Sequence, residues 1–210
     1  MLKQLLIPVT FILALSTQGA AHAYDTSSPE GLIREMSADI LDTINSDEAI
    51  KAGDTSKLSA LVEAKLMSGL NIERMTSSTL GRNYRAPTPE QLFRLQEEFK
   101  VRVARLYAGA ISRVKANATI KQKSRLREGH EIDLEVYTEI QNQDQTDEPI
   151  EIKYRLGITN NGWKIIDIKI LDSWLSRLYG AAFAAQINAS GVESLINRLA
   201  SMNKRALDNN

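Results

Sequence analysis

Ile132-Asp133-Leu134-Glu135-Val136-Tyr137-Thr138-Glu139-Ile140 alternates apolar and polar residues without a break. Successive side chains of a strand leave opposite faces, so Ile132, Leu134, Val136, Thr138 and Ile140 share one face, and the acids share the other with Tyr137. Residues 150–158 repeat the pattern, with Ile150, Ile152, Tyr154, Leu156 and Ile158 set against Glu151, Lys153 and Arg155. The polar stretch between them, residues 141–149, reads as a loop. Asn160-Asn161-Gly162 reads as a hairpin turn, because Asn and Gly accept positive φ. A further strand runs from Trp163 to about Ile170, and an earlier one covers residues 116–125. The reading is an antiparallel sheet of about four strands, with one charged face and one apolar face that needs a cover.

The cover must come from helices on either side of the sheet. Ser28-Pro29-Glu30 opens the first: a cap, Pro at the first helical position and an early acid. Leu32, Ile33, Met36, Ile40, Leu41 and Ile44 then recur at helical spacing. Gly53-Asp54-Thr55-Ser56 ends that segment and caps a second, whose stripe is Leu58, Leu61, Val62 and Leu66. A short third helix spans about Ile72 to Leu80 and stops at Gly81. Thr88-Pro89-Glu90-Gln91 has the form of a capping box and opens the longest helix. Its apolar face is Leu92, Leu95, Phe99, Val103, Leu106, Tyr107, Ala110 and Val114. Arg94, Lys100, Arg102, Arg105 and Arg113 lie elsewhere on the cylinder and read as a solvated face or a docking surface. After the strands, a helix begins near Asp172-Ser173-Trp174, breaks at Ser190-Gly191 and resumes with Val192, Leu195, Ile196 and Leu199. The fold class is α+β, with an antiparallel sheet wrapped on one face by helices.

The N-terminus reads as a leader rather than as fold. Lys3 is followed by the apolar run Leu5–Leu15, and Ala21-His22-Ala23 has the small-x-small form of a processing site. Residues 1–23 are therefore expected to be a secretion signal and 24–210 one domain. The apolar run falls short of the roughly 20 residues needed to span a bilayer, and no later segment reaches that length. Basic and acidic residues balance, 26 against 26; that argues against a nucleic-acid partner, which requires a strongly basic face. With no Cys, disulfides, Cys-ligated zinc and a Cys nucleophile are all ruled out. Beyond the leader, His130 is the sole histidine, in a stretch that reads as a turn. No catalytic residue, metal site or cofactor is expected.

Several motifs carry a family resemblance. They are Asn71-Ile72-Glu73-Arg74-Met75, Leu80-Gly81-Arg82-Asn83-Tyr84-Arg85 and Thr88-Pro89-Glu90-Gln91 with Phe99 and Tyr107. Later ones are Tyr154-Arg155-Leu156, Gly162-Trp163-Lys164-Ile165 and Gly191-Val192-Glu193-Ser194-Leu195-Ile196. In this order, from about Pro29 to Asn203, the chain resembles the MlaC family of toluene-tolerance, ABC-transport auxiliary proteins. That resemblance implies a periplasmic carrier with an apolar pocket between sheet and helices. The pocket would hold phospholipid acyl chains, with the headgroup near the surface. The implied partners are an outer-membrane lipoprotein complex and an inner-membrane ABC transporter complex. The implied role is to shuttle lipid between them and maintain outer-membrane asymmetry. The pattern departs at Leu171-Asp172-Ser173-Trp174, where the family carries Gly-Val-Ser; this puts a large side chain at the expected pocket junction.

The sheet-side candidates for lipid contact are Leu134, Val136, Tyr154, Leu156, Ile166 and Ile168. The helix-side candidates are Phe99, Tyr107, Leu175, Tyr179 and Phe183. For each, plain core packing predicts the same apolar residue. Other readings compete with the phospholipid carrier. One is a carrier of hopanoids or another hydrophobic ligand. Another is an interaction subunit of a transporter that binds no lipid, which a filled core would favour. The third is an enzyme using Asp167 as base, with Tyr154.

Overall fold

The computed structural model describes residues 24–115, 117–126, 133–143 and 148–208; the expected leader, Ile132, His130 and part of the 141–149 loop lie outside them. The first helix, α1, spans Pro29–Ser46 and starts where Ser28 accepts a hydrogen bond from the Gly31 N–H. A single turn, α2 (Glu48–Lys51), leads to α3 (Thr55–Gly69), capped by Asp54. Asn71 caps α4 (Ile72–Leu80), which ends at Gly81 with φ 52° and passes into a 3-10 turn, Gly81–Arg85. Both bonds of the Thr88–Gln91 capping box form at the start of α5 (Pro89–Ile111).

Four strands follow: β1 (Thr119–Leu126), β2 (Asp133–Gln141), β3 (Ile150–Thr159) and β4 (Gly162–Ile170). A two-residue β5 (Ser173–Trp174), absent from the sequence reading, extends the sheet to the order β1-β2-β3-β4-β5, antiparallel throughout. Its turn holds Leu171 and Asp172 at positive φ, 48° and 63°, the geometry of a type I′ turn without the usual Asn-Gly. The last helix, α6 (Leu175–Asp208), is kinked at Gly191 (φ 80°, ψ 172°) into arms 175–190 and 192–208.

One face of the sheet carries all the helices. Helix α5 packs between α3 and α6; α1, α3, α4, α5 and α6 all reach β4, and α1 also lies against β1 and β2. At its free edge β4 takes in the α3–α4 linker, where the Asn71 N–H donates to the Ile165 carbonyl at 2.8 Å. The chain start is bound as well: Thr26 meets the β3–β4 hairpin, and the Trp163 N–H donates to its carbonyl at 2.8 Å. A Cβ on Gly162 would fall 2.5 Å from that same Thr26 oxygen, so the turn requires glycine for close approach as well as for its φ of 87°.

The basic residues of α5 have a structural use that the sequence did not reveal. Arg94 makes a bidentate pair with Glu193, and Arg105 donates to the Asn203 carbonyl, tying the second arm of α6 to α5. The first arm is held by packing, with Phe99 edge-on to Tyr179 and Phe183 at centroid distances of 5.2 and 5.3 Å. Phe99 is fully buried. Phe99→Ala is expected to lower unfolding free energy by about 3–5 kcal/mol in urea denaturation, the range for emptying a buried aromatic site; a loss below about 1 kcal/mol would contradict this packing.

Candidate functional site

The layer between α5 and the sheet is where the candidate residues meet. Val136 (β2), Tyr154 and Leu156 (β3) and Ile168 (β4) are buried on the helix-facing side, with Phe99 and Tyr107 (α5) and Leu175 and Phe183 (α6) buried opposite. Tyr179 is partly buried against the same core, and Leu134 is half-buried at the start of β2. Ile166 is placed differently from its neighbours. The register steps between Arg155↔Asp167 and Leu156↔Ile165, making Ile166 the extra residue of a β-bulge. It is buried but stands apart from the main core cluster, where Ile165 takes the inward place. Strict alternation from Ile168 therefore assigned the wrong isoleucine to the inward row, since a bulge leaves no mark in a run of three isoleucines and an aspartate.

Two tyrosines put polar atoms into this apolar layer. The hydroxyls of Tyr107 and Tyr154 lie 2.6 Å apart, linking α5 to β3. Burial pushes the Tyr107 hydroxyl up to about 12, the bond from Tyr154 opposing it; burial likewise raises Tyr154 well above the ordinary range, reinforced by Tyr107. Both are thus neutral at any physiological pH and act as hydrogen-bonding groups, not as bases.

Beside Tyr107 the layer is incompletely closed. Ile40, Leu41 and Ile44 of α1, Ile111 of α5 and Val114 form one wall of a crevice, and Ile120 (β1) and Ile140 (β2) form the other. Its volume is about 10 Å³, at the limit for a single water and far below the roughly 300–1,000 Å³ of ligand cavities. The sheet–helix layer is therefore filled here, where the family resemblance implied an open pocket. The α1 residues of this wall were legible as a buried stripe, but nothing in the sequence showed which strands that stripe would cover. A larger hollow of about 570 Å³ lies elsewhere, lined by charged groups such as Arg113, Lys153, Lys169 and Asp172. That lining suits a surface depression, not an acyl chamber.

Comparison with known proteins places this architecture. The family model described as MlaC protein matches residues 34–201. The chain belongs to the MlaC family. A solved structure of a phospholipid-binding protein from Ralstonia solanacearum, in complex with a phospholipid, superposes with a TM-score of 0.72 at 32% identity. The match covers 84% of this chain and 97% of that one. No curated protein matches the chain. Among the described residues of this MlaC-family member, no helix is long and apolar enough to cross a membrane, and no cluster of His, Asp or Glu is arranged to hold a metal ion.

The opposite face of the sheet holds a buried ionic cluster. The Arg155 Nε donates to Glu135 Oε1 at 3.1 Å, and its Nη1 lies 3.6 Å from Asp167 Oδ2. Trp174 covers the guanidinium, with its ring centroid 3.7 Å from Cζ. The junction Trp thus sits on the face away from the helices, so it does not narrow the layer between sheet and helices. Asp167 also accepts from the Ser176 backbone and hydroxyl, fixing the start of α6. Asp167 faces away from Tyr154, which points into the core; the two cannot form one catalytic pair.

The two acids titrate in opposite senses. Burial raises Asp167, with the Ser176 bonds opposing. Its contribution to stability is full below the unfolded pKa and is lost as pH rises through the folded value. Burial would also raise Glu135, but the bonds from Arg125 and Arg155 outweigh it and hold the carboxyl below the usual range. Its contribution is present above the unfolded pKa and is lost as pH falls through the folded value. Arg155→Ala leaves Glu135 to Arg125, and Asp167 to its Ser176 and Ile168 hydrogen bonds. A loss of about 3 kcal/mol, the lower end of the cost of breaking a buried pair, is expected at pH 7, shrinking toward pH 4 as protonation removes the under-compensated charges. Urea denaturation at both pH values checks this, and a penalty independent of pH would contradict it.

Proposed function

We propose that this protein is a periplasmic lipid carrier that takes phospholipid acyl chains into the layer between α5 and the sheet. The observation that carries the reading is that apolar layer, with its crevice at Tyr107, in a fold shared with a protein that holds a phospholipid. Each CH₂ moved from water into such a layer gains about 0.8 kcal/mol, so a tail of roughly sixteen carbons gains on the order of 12 kcal/mol before the cost of parting the layers is subtracted. Cargo entry therefore has to separate α5 and α1 from the strands, and the gain is large enough to offset much of that separation. The eleven candidate residues would line the opened space, with Ile165 added and Ile166 at its margin.

The same reading supplies the setting. The leader 1–23 directs export, and cleavage after Ala23 leaves Tyr24 first; Tyr24 is buried and hydrogen-bonds Asp39, so the fold engages the chain from that residue. The carrier would exchange lipid with an outer-membrane lipoprotein complex and an inner-membrane ABC transporter complex, maintaining lipid asymmetry, and it performs no catalysis of its own. The filled layer favours a second reading, an interaction subunit that carries no lipid.

Native mass spectrometry of protein purified without detergent separates the two. The carrier reading predicts a mature mass beginning at Tyr24 plus a stoichiometric phospholipid adduct. A bare mass that persists after incubation with phospholipid vesicles would contradict it and leave the interaction subunit.

A further inference from the structure

We propose that Tyr107 reads the ester linkage of the cargo: its hydroxyl is held by Tyr154 while the layer is shut, and donates to an acyl-ester carbonyl once lipid has parted them. This rests on the carrier reading above. Tyr107 and Tyr154 are 2% and 1% exposed, and Tyr154 stands across from Val136 and Ile168 in the sheet register. Phe would fill the same space without a polar atom. The hydroxyls are tolerable there only because each satisfies the other, since an unpaired buried hydroxyl is costly.

The two partners are not equivalent when the layers separate. Thr138, buried one strand over, stands diagonally beside Tyr154 in the register, and its hydroxyl, which donates to the Ile152 carbonyl at 3.0 Å, keeps lone pairs to accept with. Tyr154 therefore has an acceptor beside it on its own sheet. Tyr107 moves away with α5, and Tyr154 is its hydrogen-bond partner among the described residues. The group left in need of an acceptor is the Tyr107 hydroxyl, and Tyr107 lines the crevice by which cargo would enter.

Its position along the helix fits an ester. Leu95, Phe99, Val103 and Tyr107 are successive buried residues of one α5 stripe. Leu95 lies roughly 18 Å along the axis from Tyr107 at 1.5 Å per residue. One leaflet of a bilayer is about half of a 30 Å hydrocarbon core. A chain with its ester at Tyr107 would run the stripe to about Leu95, leaving the phosphate toward Ile111 and Val114, where the crevice is bordered by the half-buried Leu41 and Ile120. Cargo without a carbonyl at that depth offers the hydroxyl a weaker ether oxygen or no acceptor at all. The carrier should thus discriminate against ether lipids and against polycyclic hydrocarbons.

The test is competition between the dipalmitoyl diester and the dihexadecyl diether of phosphatidylglycerol, offered as equimolar vesicles to the delipidated mature protein and read by native mass spectrometry. The wild type is expected to favour the diester by about tenfold. Tyr107→Phe should bring the ratio within about twofold of parity. Tyr154→Phe should keep the preference while loading faster, because it weakens the closed state and spares the reader. A merely structural pair would respond alike to either substitution. The double Phe variant removes both hydroxyls together, which leaves no orphan and preserves the fold; it should bind both lipids equally. A wild type that binds both lipids equally, or a Tyr107→Phe protein that keeps the tenfold preference, would overturn the proposal. Failure of every variant to take up either lipid would instead overturn the carrier reading, and the proposal with it.

Discussion

The apolar face of the sheet cannot remain in water, and the helices are placed by that constraint. Helix α5 reaches it through Tyr107, whose hydroxyl meets that of Tyr154 on β3, and has α3 and α6 packed on its flanks. Helix α1 covers what α5 leaves, over β1 and β2. Where the two covers adjoin, near Tyr107, lies the crevice. An interface held by dispersion and hydrophobic burial is non-directional, so another apolar object can in principle replace either side of it. The same property would let the proposed carrier keep the layer as a core when empty and open it as a chamber for lipid.

Directional interactions are concentrated on the other side of the sheet and at its margins. Arg155 binds β2 to β4 through Glu135 and Asp167, and Asp167 holds the first turn of α6 through Ser176. Glu30 meets Gln122 and Ser124 of β1, and Asn45 accepts from the Asn117 N–H. These contacts cross-link the strands and fasten α1 near both its ends. Within the apolar layer the Tyr107–Tyr154 bond is a polar tie between helix and strand. Such a division would let the layers part, as the carrier proposal requires, without dissolving either.

The outline was legible because it rests on local chemistry. Period-two alternation marked β2 and β3, the Thr88–Gln91 box marked α5, and Gly81 and Gly191 marked the end of one helix and the kink of another. What escaped was set by tertiary contact. Ile165 and Ile166 are identical in type, and only the bulge opposite Arg155 decides which faces inward. Trp174 read as an obstruction because the two-residue β5, formed across a turn of Leu171 and Asp172, has no sequence signature. Glu135, which alternation assigns to the charged face, is buried between two arginines. The α1 side of the crevice was visible as a stripe but not as a neighbour of β1 and β2, because periodicity states that a face is covered and not by what.

The most direct test is a crystal structure of the mature protein loaded with a diacyl phospholipid. The account predicts α5 drawn away from β3, acyl density between them running from Tyr107 toward Leu95, and the Tyr107–Tyr154 bond broken, with the Arg155 cluster unchanged. Lipid bound outside a layer that stays closed, with the two hydroxyls still at 2.6 Å, would contradict it.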